Sequence, residues 1–374
     1  MIACVDVFCG VGGLTHGLAK GGIHVVAGID LDPECRFPYE ANNKARFLQF
    51  DVSEVSGDQL RELWGSESYS LLAGCAPCQP FSTYGRRKDK QAASKKKWGL
   101  VADFGRLVKE SSPDFVTIEN VPQLAGHEVF AELISSLSGY KIWWDVIDCV
   151  GYSVPQTRKR LVLLASRHGE IKLIPPGTLI DEQSPLLINE KSGKPTVRKT
   201  ISCLKPLRAG ESDPGDSLHS ACRLSKLNLK RIKASAPGGT WRDWSPALVA
   251  ECHSRDSGET YPSVYGRMEW DAPAPTITTQ SFGYGNGRFG HPEQDRAITL
   301  REAAMLQTFP NSYRFLANGD KARFSVLGRL IGNAVPVKIG EAIAHSLMNH
   351  LPTIDRKEKL PDETTTTTQC SREH

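Results

Sequence analysis

The sequence predicts an α/β fold: a mostly parallel sheet with helices on both faces, joined to a smaller irregular region late in the chain. Three observations carry this. Short apolar runs alternate with stretches of helical period from Ile2 to Ala165, the rhythm of β-α-β units. The first run ends in a glycine-rich turn, Cys9-Gly10-Val11-Gly12-Gly13, that opens a helix. The alternation then stops near Ile174-Pro-Pro-Gly177, and as far as about Gly290 Gly, Pro, Ser and Thr are common and periodicity is weak.

Taken in order, Ile2 to Phe8 reads as a first strand broken by Asp6, and Leu14 to Lys20 as the helix behind the turn. His24 to Ile29 is a second strand ending at Asp30, twenty residues beyond Gly10. A carboxylate there is placed to grip ribose hydroxyls while small residues let a ligand approach the backbone at a helix amino terminus. The third glycine position of the dinucleotide fingerprint is Thr15, which fits an adenosine ligand lacking a pyrophosphate. Arg46 to Phe50 is a third strand before Asp51, which either reaches an adenine amino group or caps the helix from Ser53 to Trp64. Tyr69 to Ala73 reads as a buried strand, Leu100 to Lys109 as a helix and Phe115 to Ile118 as a strand. Phe130 to Leu137 is helical, and Lys141 to Cys149 and Leu161 to Ala165 are further strands. Later, Thr299-Leu-Arg-Glu302 is a capping box, and Val337 to Leu347 an amphipathic helix. The tail from Asp355, with five consecutive threonines, is expected to be disordered.

At 374 residues the chain holds two domains, or one with a large insertion. Apolar residues at 40% and charged residues at 24% are ordinary for a globular protein. No apolar run approaches a membrane span, and the amino terminus lacks the pattern of a signal peptide. Ten cysteines without regular spacing point to a reducing cytoplasm, and no Cys/His cluster has zinc spacing. A net charge of +4 says little about partners, but its distribution says more. Arg86 to Lys97 carries seven basic residues against one acid, and Arg223 to Arg242 six against none. Two such segments favour a polyanionic substrate over two merely solvated faces.

The first basic segment directly follows Gly74-Cys75-Ala76-Pro77-Cys78-Gln79-Pro80-Phe81-Ser82. Pro77 and Pro80 bracket Cys78 and fix the backbone on either side. Ending a strand, this cysteine stands at the mouth of the crevice where open α/β sheets place their sites. Three readings compete: a buried structural thiol, half of a redox Cys-x-x-Cys with Cys75, and a nucleophile. Two other polar groups fall at strand ends, Glu119-Asn120-Val121 and Gln156-Thr-Arg158-Lys-Arg160, where Arg158 and Arg160 share a face. Taken singly, each is better explained by a solvated turn or by charges flanking the sheet.

Taken together and in this order, the segments resemble the DNA cytosine-5 methyltransferases. Asp6-Val-Phe8-Cys-Gly10-Val-Gly12-Gly13 is similar to their cofactor loop and Pro77-Cys78-Gln79 to their nucleophile motif. Glu119-Asn120-Val121 and Gln156-Thr-Arg158-Lys-Arg160 match the next two motifs. Arg301-Glu302 with Leu306-Gln307, and Gly332-Asn333-Ala-Val335-Pro336, match the last two. The resemblance runs from residue 2 to about 350 and implies the Rossmann-like class I fold of S-adenosylmethionine-dependent methyltransferases.

It implies a catalytic set of Cys78, Glu119, Arg158 and Arg160, with Cys78 adding to carbon 6 of a flipped-out cytosine. S-adenosylmethionine would be held by Phe8, Gly10, Gly12, Gly13, Leu14, Asp30, Leu31, Asp51, Val52, Pro77, Leu100, Asn333 and Val335. Leu31 stands where some members stack an aromatic ring on adenine. Double-stranded DNA would be met by Gln79, Ser82, Arg86, Arg87, Lys88, Arg223, Lys230, Arg231 and Arg242. The implied layout is a catalytic domain at 1–178 completed by 325–352, target recognition at 179–298, a return segment at 299–324 and a disordered tail from 353. A monomeric cytoplasmic enzyme acting on the nucleoid without a metal is expected, within a restriction-modification or defence system. The rivals are a transfer-RNA cytosine-5 methyltransferase, disfavoured by the size of the recognition region, and an inactive DNA-binding regulator, disfavoured by the intact catalytic set.

Overall fold

A computed structural model of the chain describes residues 1–77, 90–177, 193–254 and 261–358. Strand β1 (Ile2–Val7) is buried along its whole length, and alternation divides its side chains between two cores. Ile2 and Cys4 join the apolar cluster of one face, and Ala3, Val5 and Val7 that of the other. After it come α1 (Gly13–Lys20), β2 (His24–Ile29), α2 (Arg36–Glu40), β3 (Arg46–Leu48) and α3 (Gly57–Trp64). Next are β4 (Tyr69–Gly74), α4 (Lys90–Ser111), β5 (Phe115–Asn120), α5 (Glu128–Ser136), β6 (Lys141–Asp148), β7 (Gln156–Thr157) and β8 (Lys159–Ser166).

Seven of these strands form one sheet in the order β3-β2-β1-β4-β5-β8-β6. β1 to β5 pair in parallel, and β8 runs antiparallel to both its neighbours. From β1 the chain first builds outward to β3, then returns to place β4 on the other side of β1. The carboxyl ends of β1 and β4 therefore flank the switch point, where an open sheet leaves a crevice. Leu60, Phe104 and Leu133 of α3, α4 and α5 cover one face; Leu14 and Leu18 of α1, with Ile343 and Leu347 of α10 (Val337–Glu358), cover the other. α1 and α10 touch at Gly17, where an added methyl group would overlap the Val337 carbonyl and the Gly340 backbone. Gly17→Ala is therefore expected to destabilise the fold by about 1–3 kcal/mol through overpacking. Urea unfolding of the two proteins tests this, and equal midpoints would show that α10 has room to shift.

The irregular region is built as its composition predicts. Its described elements are short: α6 (Val197–Ile201), β9 (Ser212–Asp213), β10 (Asp216–Ser220), α7 (Lys226–Ala234) and β11 (Ala274–Pro275). With few ladders available, side chains satisfy the loop carbonyls. The buried Arg267 donates to the carbonyls of Ile232, Ser235, His291 and Gln294. The expected capping box opens α8 (Leu300–Leu306), and its Glu302 also accepts both guanidinium nitrogens of the fully buried Arg296, each at 2.7 Å.

Several boundaries differ from the sequence reading: the helix read as Leu100 to Lys109 begins at Lys90, and the one read from Ser53 begins at Gly57. β5 continues through Glu119 and Asn120, because its ladder with β8 runs to Asn120 opposite Leu161. α10 extends to Glu358, past the expected start of the tail, while residues 359–374 lie outside the described set. A helix that periodicity did not reveal, α9 (Phe324–Asn333), precedes α10.

A buried polar bolt joins these parts. Gln156 donates to the Leu306 carbonyl at 2.9 Å and to Gln307 Oε1 at 2.8 Å, and accepts from the Ile277 amide. Gln307 in turn donates to the carbonyls of Ile331 and Ala334. One pair of amide side chains thus fixes β7, which pairs with β11 outside the central sheet, α8, the segment after β11 and the end of α9 against one another.

Candidate active site

β1 delivers its last residues to the switch point, and the backbone there is unusual. Phe8 has φ +60°, a left-handed conformation seldom adopted by a bulky residue. Gly12 caps α1 at φ +85°, with Tyr39, Asn43 and Tyr313 crowding the place of a Cβ. Gly13 packs so closely on the Val335 carbonyl that any side chain would overlap it. This turn therefore needs glycine for shape at Gly12 and for close approach at Gly13.

Above the turn lies a cavity of about 290 Å³. Phe8, Gly10, Leu14, Asp30, Pro77, Asn333 and Val335, all expected around a cofactor, line it. Glu119, Arg158 and Arg160 line the same cavity. Asp30 ends β2 and accepts the Gly10 amide on one carboxylate oxygen and the Asp32 amide on the other, each at 2.9 Å. Its burial raises its pKa, and those two amides oppose the shift.

Glu119 is buried at the end of β5. Cys75 Sγ donates to its Oε2 at 2.9 Å, and Arg160 Nε stands 2.8 Å from its Oε1. The arginine contact is an ion pair without hydrogen-bond alignment, so Oε1 keeps capacity for a ligand proton. Asn120 holds the other side of the site by donating to the Ala76 carbonyl at 3.1 Å. Arg158 is buried between the carbonyls of Ile277 and Ala334, and burial with Arg160 close by lowers its pKa to about 10.

Sequence reasoning missed Asp6 as a member of this wall. It is fully buried, accepts Thr15 Oγ1 at 2.6 Å on one oxygen, and lines the cavity. Its other oxygen has no hydrogen-bond partner among the described residues, and burial pushes its pKa up to about 7. An orphaned acidic oxygen beside Asp30 and a glycine cradle fits a ligand carrying ribose hydroxyls and an ammonium group. The folded pKa of Asp6 lies above the unfolded value of about 3.9, so the folded state holds an extra proton between pH ~4 and ~7. The stability tied to that proton is present in full below pH ~4 and is lost by pH ~7. Asp6→Asn, which cannot ionise, should therefore gain on the wild type by up to about 4 kcal/mol as pH rises through that window. Thermal unfolding of ligand-free protein at pH 5 and pH 8 measures this, and a constant difference in Tm would show that Asp6 takes up no proton.

Other expected residues fall elsewhere. Gly12 and Gly13 shape the turn without lining the cavity, and Leu31, Asp51, Val52 and Leu100 are not in its wall. Leu31 is 60% exposed beside it, and Asp51 caps the short turn at Val52–Glu54 by accepting from Ser53. Arg223, Lys230 and Arg242 are exposed. Arg231 corrects the expectation of a DNA contact: it is buried, donates to the Leu248 carbonyl and Asn228, and stacks over Trp244 and Tyr265. A cation so enclosed holds α7 in place instead of meeting a phosphate. Cys78, Gln79, Ser82, Arg86, Arg87 and Lys88 lie outside the described residues.

The model of C-5 cytosine-specific DNA methylases matches residues 2–349. The chain belongs to that family. The methylase is 49% identical to the Type II methylase M.HgiDII of Herpetosiphon aurantiacus, over 96% of this chain and 98% of that one. It is 29% identical to the Type II methyltransferase M.Eco47II of Escherichia coli, over 94% and 80% of the two chains. Among solved structures, a putative DNA modification methyltransferase of an E. coli prophage matches with a TM-score of 0.68 at 21% identity, covering 94% of the methylase and all of that chain. Dnmt2 of S. pombe matches with a TM-score of 0.56 at 17% identity, over 94% and 99%. These two show a shared fold. The methylase is thus a DNA cytosine-5 methyltransferase with Type II relatives. Among the described residues no helix is long and apolar enough to cross a membrane.

Proposed function

We propose that the methylase modifies carbon 5 of a cytosine flipped out of a short specific duplex sequence, through a covalent adduct between Cys78 and carbon 6. The observation that carries this is Glu119, gripped by Cys75 and Arg160, opening onto the cavity that also holds Asp30 and Asn333. Carbon 5 of cytosine is a weak nucleophile. Addition of the Cys78 thiolate to carbon 6 breaks the 5,6 double bond and moves its electron pair towards carbon 5. A proton shared between Glu119 Oε1 and ring nitrogen 3 offsets the negative charge of the adduct. Arg160 holds the carboxylate in place, and its positive charge would favour the thiolate form of Cys78. S-adenosylmethionine, when bound against Asp30 and the Gly10 turn, supplies the electrophilic methyl group. Loss of the carbon 5 proton with β-elimination then frees Cys78.

Stacked bases are out of reach of such a crevice, so extrusion is part of the reading. Residues 179–298 would read base edges, with Arg223, Lys230 and Arg242 on phosphates. The protein would act as a monomer, guarding its own DNA beside a restriction partner as its Type II relatives suggest. Incubation with labelled S-adenosylmethionine and either duplex DNA or transfer RNA tests the reading. It requires 5-methylcytosine at one short sequence in the DNA; label in transfer RNA alone would overturn it.

A further inference from the structure

The cofactor-side loop after β2 is tied to α9 by two ion pairs that bridge nearly the whole length of the chain. Arg329 Nη1 stands 2.6 Å from Asp32 Oδ2, and Arg323 pairs with Glu34. The first pair enters a relay. Asp32 Oδ1 accepts the Glu34 amide at 3.0 Å, the Asp32 amide donates to Asp30 Oδ1, and Asp30 Oδ2 accepts the Gly10 amide. Arg329 thereby fixes the residue whose backbone orients Asp30. Burial raises the Asp30 pKa, the two amides draw it back, the Asp32 charge raises it, and Arg329 draws it down.

The other end of the relay reaches the segment after β11. α9 runs into Asn333 and Val335 in the cavity wall, and its Gly328 and Gly332 pack on Phe282 and on the Thr278–Thr279 backbone. Arg158 ties the Ile277 and Ala334 carbonyls together at the same place. A shift of the segment after β11 therefore bears on α9, and through Arg329 on Asp32 and Asp30.

We propose that Arg329 is a positioning residue for S-adenosylmethionine, acting through Asp32 to hold the Asp30 carboxylate in register with the α9 wall. This rests on the cofactor reading above. The pair is partly exposed, with side chains 43% and 24% accessible, so a modest effect is expected.

The test uses the full chain, with S-adenosylmethionine titrated calorimetrically and duplex DNA methylation followed in parallel. Arg329→Ala and Asp32→Asn should each weaken cofactor binding about threefold to tenfold. The double variant should lose no more than the worse single one, since both break one link. The KM for S-adenosylmethionine should rise in step with Kd and by more than kcat falls, and Arg329→Lys should recover most of the loss. Should Arg329→Ala fail to fold, Asp32→Asn and Arg329→Lys carry the same comparison. Single variants that bind like the wild type, or losses that multiply in the double variant, overturn the proposal while leaving the cofactor reading intact. A wild type that binds no S-adenosylmethionine overturns both.

Discussion

Replacing Cys78 by alanine should lower kcat for methyl transfer by about 10⁴-fold or more, the usual result of deleting a nucleophile whose partners act as a unit with it. Without the thiolate, carbon 5 has no source of added electron density, and Glu119 and Arg160 stabilise an adduct that does not form. Duplex binding should survive, because phosphate contacts supply most of the affinity and Cys78 supplies none. Cys78→Ser should do little better, since a serine hydroxyl beside these groups remains protonated. Single-turnover methylation with saturating DNA measures the loss. A variant retaining a tenth of the rate would assign the chemistry to another group; among the described residues Cys9, Cys35 and Cys75 line the cavity, and Cys75 donates to Glu119.

Glu119→Gln should cost about 10²–10⁴-fold in kcat, the range for removing a positioned proton donor. The amide keeps the shape and size of the side chain beside Arg160, so KM for DNA should move little. It cannot share a proton with ring nitrogen 3, and the negative charge of the adduct is left to Arg160 alone. A comparison of kcat with KM separates this from misfolding, because a collapsed site would lose both. If Glu119→Gln instead raised KM for DNA at unchanged kcat, the carboxylate would be a binding contact with no part in the proton transfer.

Much of this site is legible in the sequence because the chemistry-bearing residues sit at the ends of short apolar runs. Asp30, Glu119 and Arg160 could each be placed at the carboxyl end or entrance of a strand from local pattern alone, and the sheet order brings them to one crevice. The position of Glu119 inside β5 was not legible, because a buried acid looks like the end of an apolar run until its partner is known. That partner, Arg160, comes from β8, the antiparallel neighbour of β5. Helix α9 was hidden for a similar reason. Gly328 and Gly332 break its propensity, yet both are required by the approach of Phe282 and the Thr278–Thr279 backbone, which only tertiary structure reveals. Arg231 misled in the opposite direction: a cation in a basic run suggests a solvated face, but aromatic rings far along the chain enclose it. Asp6 was read as a polar break in a strand and as the start of the cofactor-loop motif, but nothing local signals that Thr15 satisfies one oxygen and leaves the other without a partner among the described residues.

One thiol attacking a cytosine held by Glu119 and Arg160, as proposed, can be trapped. Incubating the methylase and S-adenosylmethionine with duplex DNA carrying 5-fluorocytosine at the methylated position tests it most directly, because fluorine cannot leave carbon 5 as the proton does. A denaturant-resistant protein–DNA adduct is expected, in which peptide mapping finds the base on Cys78, with no adduct from Cys78→Ala. An adduct of equal yield from Cys78→Ala, or one mapped to another residue, would contradict it.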